Sequence, residues 1–204
     1  MNCSICGQAA EEAVCQNCSA LEYPEVIRTH CQNTASTNPL EMAQAIMCHP
    51  GFPVAGQAHH PLIAAVLVTA YGNAGGELAE GKLDEAIRRG NSIPGGFCAG
   101  FGADAAAIAG GIAVSLIRGN AIGTEHAPGR ALAHALTGEG MLAIANNSGN
   151  RCCKRSVFGM LELATNYFNR VLGVFLAGPE ERIRCPFTAQ NKLCNGAPCK
   201  YFPA

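Results

Sequence analysis

Residues 103–119 read ADAAAIAGGIAVSLIRG, a run of small and aliphatic side chains whose only charges are Asp104 and Arg118. Alanine is the strongest helix former, and a helix that is apolar on all sides belongs in a protein interior. The wider apolar run, 95–117, is long enough to span a bilayer. Asp104 and six glycines interrupt it, however, and it has no long aliphatic stretch. We therefore expect a buried, Gly/Ala-rich central helix and no membrane partner.

Four further segments carry helical patterns, and together with the central helix they set the fold class. HHPLIAAVLVTAY (59–71) is apolar nearly all round, whereas GELAEGKLDEAIRRG (76–90) is amphipathic. The long segments APGRALAHALTGEGMLAIAN (127–146) and RSVFGMLELATNYFNRVLGVFL (155–176) follow. No convincing strand pattern occurs outside the N-terminal twenty residues. The prediction is a mainly α protein, a compact helical domain preceded by a small zinc-knuckle module of four cysteines.

The chain is expected to have three parts. They are a four-cysteine metal-binding module at 1–20, a connector with short helices at 21–58, and a helical Cys-rich domain at 59–204 that ends in an irregular cysteine-containing tail.

The composition excludes several classes of protein. Hydrophobic residues make up 49 % of the chain and charged residues 14 %, which excludes a disordered chain. Aromatic residues are only 6 %, so a base-stacking surface for nucleic acid is not expected. The low charge indicates a large buried fraction or a homo-oligomer surface. The charge is also uneven, since 1–149 sum to −6 and 150–204 to +5. This uneven distribution indicates either a basic C-terminal segment that packs on an acidic body or a site that binds an anion.

Twelve cysteines are present, and the start MNCSICG lacks the basic and apolar stretches of an export signal. Reduced thiols in the cytoplasm are therefore expected, used for metal binding or catalysis rather than for a disulfide framework. The strongest signal is C-x2-C-x8-C-x2-C, because two knuckles of this kind close a tetrahedron of thiolates. It predicts a structural Zn²⁺ site, with rubredoxin-like iron as the alternative, at Cys3, Cys6, Cys15 and Cys18.

A second, dispersed set of cysteines is predicted to hold an iron–sulfur cluster, with [4Fe–4S] as the expected form. Its members are Cys98, Cys152, Cys153, Cys185, Cys194 and Cys199. Cys98 and the adjacent pair lie at predicted helix starts, where the helix dipole and nearby cations favour thiolates. Two alternatives stay open, namely redox-active thiols and small buried side chains. Since neighbouring residues diverge by about 100° on a helix, one thiol of the pair is expected to face the cluster.

Polar residues near these cysteines are candidates for catalysis and substrate binding. His59, His60, Cys98 and Asp104 are the predicted catalytic residues. For the histidine pair, the alternative is that one ring caps a helix or satisfies a carbonyl of the core. For Asp104 a structural ion pair with Arg88, Arg89 or the Arg151–Arg155 group is slightly favoured. The predicted binding residues for a small anionic or sulfur-containing substrate are Arg151, Lys154 and Arg155.

Several motifs, in this order, resemble a Cys-rich domain of unknown function from anaerobic bacteria and methanogens. They are HHPLIAAVLVTAYGNAGG, EAIRRGNSIPGGFCAGFGADAAAIAGGIAVSL, RCCKRS and CPFTAQNKLCNGAPCKYFP, within 39–203. Some members are fused to SAM-dependent methyltransferase or radical-SAM domains, which implies such a partner. The family's glycine hinge reads GGxCGxxGxCGAA. Cys98 matches its first cysteine, and Asp104 replaces the second. If that position binds a cluster in the family, either Asp104 is an oxygen ligand or the site differs in this chain.

These signals lead to one hypothesis and two alternatives. The first is a protein of anaerobic metabolism with an iron–sulfur or other metal cluster that carries out sulfur transfer, desulfuration or lyase-type chemistry on a small anion. The second is a non-catalytic module that delivers metal or sulfur or docks a partner. The third is a thiol redox protein that uses Cys98 or the Cys152–Cys153 pair.

Overall fold

The computed structural model describes residues 1–147, 149–179 and 181–203. Within these ranges the fold is helical and has no β-strand, only an isolated bridge between Asn2 and Ala9. The helices are α1 (Gln16–Ser19), α2 (Tyr23–Asn33), α3 (Pro39–Met47), α4 (His59–Asn73), α5 (Lys82–Asn91), α6 (Phe97–Gly100), α7 (Ala105–Ile117), α8 (Ala127–Asn146) and α9 (Cys153–Tyr167). A 3-10 turn, Thr124–His126, precedes α8, and a π-helical turn, Phe168–Leu172, continues α9. The predicted mainly α class is confirmed.

Helices α4 and α7 form the centre of the protein. Every residue of α4 from His59 to Val68 is buried, and so are nine of the thirteen residues of α7. Helix α7 packs against α4, α5, α8 and α9. Glycines permit this close packing, because a Cβ on Gly111 would lie 2.1 Å from Thr137 Oγ1. The Gly/Ala-rich helix is therefore the buried element expected from its composition, and α4 shares the central position.

The apolar run 95–117 is not one continuous helix. It forms the short, largely exposed helix α6, then a turn, then α7. Gly96 and Gly102 adopt φ values of +80° and +67°, a left-handed conformation that favours glycine. These two glycines flank α6 and set the angle at which the chain enters α7.

The segment 21–58 contributes directly to the core. Helices α2 and α3 pack against α4. Val26, Ile27, Met42 and Ile46 are fully or almost fully buried there. Asn38 caps α3 by accepting hydrogen bonds from the backbone N–H groups of its first turn.

The chain after α9 is irregular and lies against the helices. The Ala177 N–H donates to the Thr37 carbonyl, which holds the chain beside α3. Further on, the Cys185 N–H donates to the Tyr201 carbonyl at 2.8 Å. Phe187 and Tyr201 are buried, and the Tyr201 hydroxyl donates to Glu162 of α9 at 2.7 Å. A few side chains thus fix a tail that has no helix in residues 173–179 and 181–203. No helix of the described residues has the length and apolarity that a membrane span requires.

Candidate metal centre and adjoining pocket

The four N-terminal cysteines form a compact ligand set. The sulfur atoms of Cys3, Cys6, Cys15 and Cys18 all lie within 4.8 Å of one another. Cys6 and Cys15 Sγ are 3.8 Å apart, which matches the edge of about 3.8 Å in a tetrahedron of Zn–S bonds. Gly7 turns the first knuckle with φ +72°, as expected for a residue that must be left-handed. The set can hold a metal ion such as zinc.

Electrostatics favour a cation at this set. Burial disfavours charge on Cys3, but backbone N–H groups of Cys15, Cys6 and Ile5 donate to its sulfur and lower its pKa to about 6. Burial raises the pKa of Cys18, and hydrogen bonds with the other three thiols raise it further. Four thiols this close to one another cannot all lose their protons unless a cation compensates the negative charge of the thiolates.

Two buried histidines join this N-terminal set to the helical core. His30 Nδ1 donates to the Ser4 carbonyl at 2.8 Å, and His49 Nε2 donates to the Cys18 carbonyl at 2.8 Å. The tautomer of His49 is fixed, because its Nδ1 accepts from the Gly51 N–H. The N-terminal knuckle therefore packs as part of the protein's core, through α2 and the turn after α3.

The six cysteines of the second set divide between two cavities. Four of them line a small cavity of about 20 Å³ together with Phe158, Phe187 and Tyr201. These four are Cys152, Cys185, Cys194 and Cys199. Cys98 and Cys153 instead line a larger pocket of about 370 Å³, which Cys152 also lines. Among the described residues, only the N-terminal set has three or more ligand atoms within 4.8 Å of one another. The C-terminal ring of four thiols is thus wider than the knuckle.

Hydrogen bonds to sulfur position two of these four thiols. Cys152 is the N-cap of α9, and its Sγ accepts from the Arg155 N–H and from Asn191 Nδ2. Cys194 Sγ accepts from the Gly196 N–H at 3.4 Å. Burial raises the pKa of Cys185, and the other three cysteines of the ring raise it further. The ring is therefore closely spaced enough for its members to interact electrostatically. Asn191 was not expected from the sequence, although it lies in the tail motif NKLCNGAPC.

Lys154 lies beside this ring and not on the surface. Its side chain is only 1 % exposed, and Nζ donates to the Pro53 carbonyl at 3.3 Å. Nζ also lies 4.9 Å from the ring centre of Phe52 and 4.4 Å from that of Phe187. None of the ion pairs among the described residues includes Lys154. Burial lowers its pKa to about 8, while nearby thiols oppose that shift.

This burial bears on the predicted substrate-binding residues. Lys154 lines the small cavity, Arg151 lines the larger pocket and Arg155 lines both, and substrate binding by these three residues stays a prediction. A buried ammonium without a carboxylate is costly unless another anion compensates it. The thiols that can carry such charge here are Cys153, Cys48, Cys185 and Cys152, in order of their effect on the lysine.

The larger pocket brings the predicted catalytic residues together. His59, His60, Cys98 and Asp104 all line it. Its walls include the first residues of α4, α7 and α9, so three helix N-termini border the same space. Cys152 and Arg155 line both this pocket and the small cavity. A group bound among the four thiols would therefore be next to a ligand in the larger pocket.

The two histidines at the start of α4 are buried and neutral. His59 Nδ1 donates to the Gly56 carbonyl at 3.0 Å, and its Nε2 has no hydrogen-bond partner among the described residues. Burial and the nearby Lys154 ammonium lower the pKa of His59 to about 3. His60 Nδ1 donates to the Ile93 carbonyl at 3.2 Å, and burial lowers the pKa of His60 as well. In both rings Nδ1 therefore carries the proton.

Asp104 and Cys98 depart from expectation. Asp104 is the N-cap of α7: Oδ1 accepts from the Ala106 N–H and Oδ2 from the Ser156 hydroxyl. The expected ion pair with arginine is absent among the described residues. The Ala105 N–H donates to Cys98 Sγ at 3.3 Å, as a helix start should. Nevertheless partial burial, Asp104 and Cys153 raise the pKa of Cys98, so the prediction of a stabilised thiolate there is wrong.

Comparison with known proteins identifies a family but no activity. Residues 27–202 match the model of DUF5714, a family of unknown function. The chain belongs to this family. No curated protein and no solved structure matches the chain. The DUF5714 match contains both cavities and leaves out the four N-terminal cysteines. It confirms the resemblance to a domain of unknown function, while the fusion partners and the range of organisms stay predictions.

Proposed function

We propose that this DUF5714 protein is an iron–sulfur protein that acts on a small anionic substrate. In this proposal the cluster is bound by Cys152, Cys185, Cys194 and Cys199, and the knuckle holds a structural zinc ion. The observation that carries the proposal is the position of Cys152, which lines both the cavity of four thiols and the 370 Å³ pocket. A cluster beside a substrate pocket is the arrangement that cluster-assisted chemistry requires.

The donor set fits a cluster better than a single ion. A tetrahedral ion requires sulfur atoms about 3.8 Å apart, and no three ligand atoms of this ring, all of it among the described residues, lie within 4.8 Å of one another. A cluster spreads its thiolates over several metal atoms, which a wider ring accommodates. The cavity of about 20 Å³ is small, so loading a cluster requires the irregular tail that carries Cys185, Cys194 and Cys199 to move outward.

Charge supports the same assignment. Four thiolates bring four negative charges, which the metal atoms neutralise only in part. Lys154 then supplies a buried positive charge that interacts with four thiols, of which Cys185 and Cys152 belong to the ring, and the surrounding rings of Phe52 and Phe187 exclude water from it. A neutral ring of thiols would instead leave the ammonium uncompensated. The buried lysine is therefore a positioning residue for an anionic centre.

The proposed reaction class is sulfur transfer, desulfuration or elimination. The bound cluster would supply a sulfur atom at the wall shared with the pocket or, if the substrate displaced the Cys152 thiolate from its iron, a Lewis-acid iron atom there. Arg151 and Arg155 would bind the anionic group of the substrate, and His60, which also lines the pocket and holds its own proton on Nδ1, would accept a proton at Nε2. Cys152 and Cys153 accept hydrogen bonds from different partners and only Cys152 lines the small cavity, so we prefer a cluster to a redox pair.

Anaerobic purification tests the proposal directly. The wild-type protein should be brown, contain iron and inorganic sulfide in equal amounts, and contain one zinc per chain. Cys185→Ser should lose most of the iron and sulfide and keep the zinc. Cys31→Ala is the matched control, because Cys31 is a buried thiol of α2 outside both ligand sets, and it should keep both metals. A folded protein without iron, or iron without sulfide, would contradict the cluster.

A further inference from the structure

Cys152 differs from the other three thiols of the C-terminal ring in its position. All four line the small cavity, but among the described residues Cys152 is the ring member that also lines the 370 Å³ pocket. It directly precedes α9, whereas Cys185, Cys194 and Cys199 lie in the irregular tail. A ligand in the larger pocket therefore adjoins the ring at Cys152.

The side chain of Asn191 places a hydrogen-bond donor on the sulfur of Cys152. Asn191 Nδ2 lies 3.3 Å from Cys152 Sγ. The orientation of the amide is fixed, because Oδ1 accepts from the Leu193 N–H at 3.0 Å and an amide oxygen can only accept. The Asn191 carbonyl also accepts from the Cys194 N–H at 2.9 Å, and its N–H donates to the Phe187 carbonyl at 3.1 Å. This donor is therefore held by the turn of the tail that carries it.

Helix α9 supplies a second donor to the same sulfur. Cys152 is the N-cap of α9, and the Arg155 N–H donates to its Sγ at 3.5 Å. Since α9 has fifteen residues, its N-terminus adds a positive potential that favours an anion at the cap. Cys194 Sγ, by comparison, accepts from the Gly196 N–H. Donors of this kind withdraw charge from a thiolate, so they weaken its bond to a metal and stabilise it after release.

We infer that Cys152 is an exchangeable ligand of the cluster and that Asn191 is the positioning residue that makes it exchangeable. A donor atom of a ligand in the larger pocket displaces the Cys152 thiolate, which stays hydrogen-bonded to Asn191 and Arg155. The bond between Sγ and iron breaks with its electron pair on sulfur, and the incoming atom donates an electron pair to the vacated position. No electron or proton is transferred in this exchange. The inference rests on the proposed function and selects the iron atom, rather than a sulfur atom of the cluster, as the group that meets the substrate.

Differential alkylation of the anaerobic, iron-loaded protein tests the inference. Iodoacetamide first blocks the accessible thiols outside both ligand sets, such as Cys98 and Cys153. Imidazole is then added as the probe ligand for iron, together with isotopically heavy iodoacetamide, and mass spectrometry locates the heavy label. Cys152 should take up the heavy label about tenfold or more faster than Cys185, while iron and sulfide stay bound. Equal labelling of the ring thiols, or labelling of Cys152 only after iron is lost, overturns the inference.

Variants of two asparagines in the tail separate the donor from simple packing. Asn191→Leu should slow the heavy labelling of Cys152 about tenfold, because the released thiolate loses a charge-assisted hydrogen bond. Asn191→Asp has the same size and replaces the donor with a carboxylate, so it should slow the labelling at least as much and serves if the leucine variant folds poorly. Asn195→Leu is the control. Asn195 lines the same small cavity, but its Oδ1 accepts from the Asn150 N–H and, among the described residues, its side chain donates to no sulfur.

Iron, sulfide and zinc are measured on the same samples, so that the two ideas can fail separately. Iron-free protein contradicts the proposed function, and the inference falls with it. Iron-loaded protein in which imidazole does not lead to labelling of Cys152 overturns the inference alone. A merely structural role of Asn191 would lower the iron content of its variants and leave the relative labelling of Cys152 and Cys185 unchanged, and that result would also overturn the inference.

Discussion

The two groups of four cysteines differ in how the chain assembles them and in what surrounds them. The N-terminal group comes from sixteen consecutive residues, and its sulfurs lie within 4.8 Å of one another. The C-terminal group joins the start of α9 to a tail more than thirty residues later, around a wider ring. Histidine–carbonyl bonds tie the first group to the core, whereas the second shares a wall with a 370 Å³ pocket.

In the proposed function, this difference separates a stabilising site from a reactive one. A compact set closed by its own knuckles suits an ion that only stabilises the fold. A wider set beside a pocket, with a buried cation such as Lys154, suits a centre that contacts substrate. Removal of one cysteine should therefore have different effects in the two groups. In the first group it should mainly lower the stability of the fold, and in the second it should mainly lower the iron and sulfide content.

The largest effect is expected from a ligand of the N-terminal knuckle. Cys18→Ser should release the zinc and lower the free energy of unfolding by more than about 3 kcal/mol, because metal binding and folding are coupled at such a site. Loss of the knuckle also leaves His30 and His49 without their partners Ser4 and Cys18. Thermal unfolding monitored by circular dichroism measures this effect.

The paired variant is Cys185→Ser, which should lose iron and sulfide while its unfolding temperature falls much less. Both variants remove one thiol from a set of four, so the chemical change is matched. If Cys185→Ser unfolds as readily as Cys18→Ser, the contrast between a stabilising site and a reactive site is wrong.

The sequence predicted the N-terminal set well because everything that builds it is local. Spacing alone placed Cys3, Cys6, Cys15 and Cys18 in one tetrahedron, and small residues at 103–119 indicated a buried helix. Asp104 could also have been predicted as an N-cap, since it directly precedes an alanine-rich helix after a glycine turn. The prediction of an ion pair did not take into account that a backbone N–H of the helix can satisfy the carboxylate.

The division of the second set could not be predicted, because it depends on packing between distant segments. Spacing along the chain does not indicate that Cys98 and Cys153 line one cavity while Cys185 and Cys199 line another. Lys154 presents the same difficulty. It stands in the basic motif RCCKRS and resembles a surface cation, yet Phe52 and Phe187 from other segments bury it.

The next largest effect is expected from His59 in the larger pocket, which should make the folded protein less stable in acid. His59 has a folded-state pKa of about 3, against an ordinary value of about 6.5. Below pH 6.5 the unfolded chain binds a proton at this histidine and the folded protein does not, so stability falls as the pH falls. Between pH 6.5 and 5 the expected loss from His59 is about 2 kcal/mol.

Denaturant unfolding at several pH values measures this loss. Acid also protonates thiolates, so the informative quantity is the difference between variants. His59→Gln should lose less stability than wild type over this pH range and show the same flat dependence above pH 7. His134→Gln, at an exposed histidine, should keep the wild-type slope. Identical slopes in all three proteins would show that His59 does not set the acid response.

Lys154→Met tests whether the C-terminal ring is an anionic centre. With a cluster bound, loss of the ammonium should speed release of iron to a chelator about tenfold, equivalent to roughly 1.4 kcal/mol. In cluster-free protein the same change should raise stability, because it removes a buried charge without a carboxylate. Lys192→Met, at an exposed lysine of the same tail, is the control. Unchanged iron release with Lys154→Met would indicate that the ring carries no net negative charge.

The smallest effect is expected where the tail is fastened to α9. Glu162 accepts from the Tyr201 hydroxyl at 2.7 Å and from Lys200 Nζ at 2.6 Å. Glu162→Gln keeps an acceptor for the tyrosine and removes the charge, so it should cost about 1 kcal/mol or less.

Because the Cys185 N–H is bonded to the Tyr201 carbonyl, this loosening should speed iron release a few-fold and leave the zinc of the knuckle in place. The matched control is Glu139→Gln, which removes an exposed ion pair between α8 and Arg170 and should change neither metal. If Glu162→Gln alone destabilises iron retention, the tail is the movable wall of the cluster site, whereas the knuckle is closed by its own sequence.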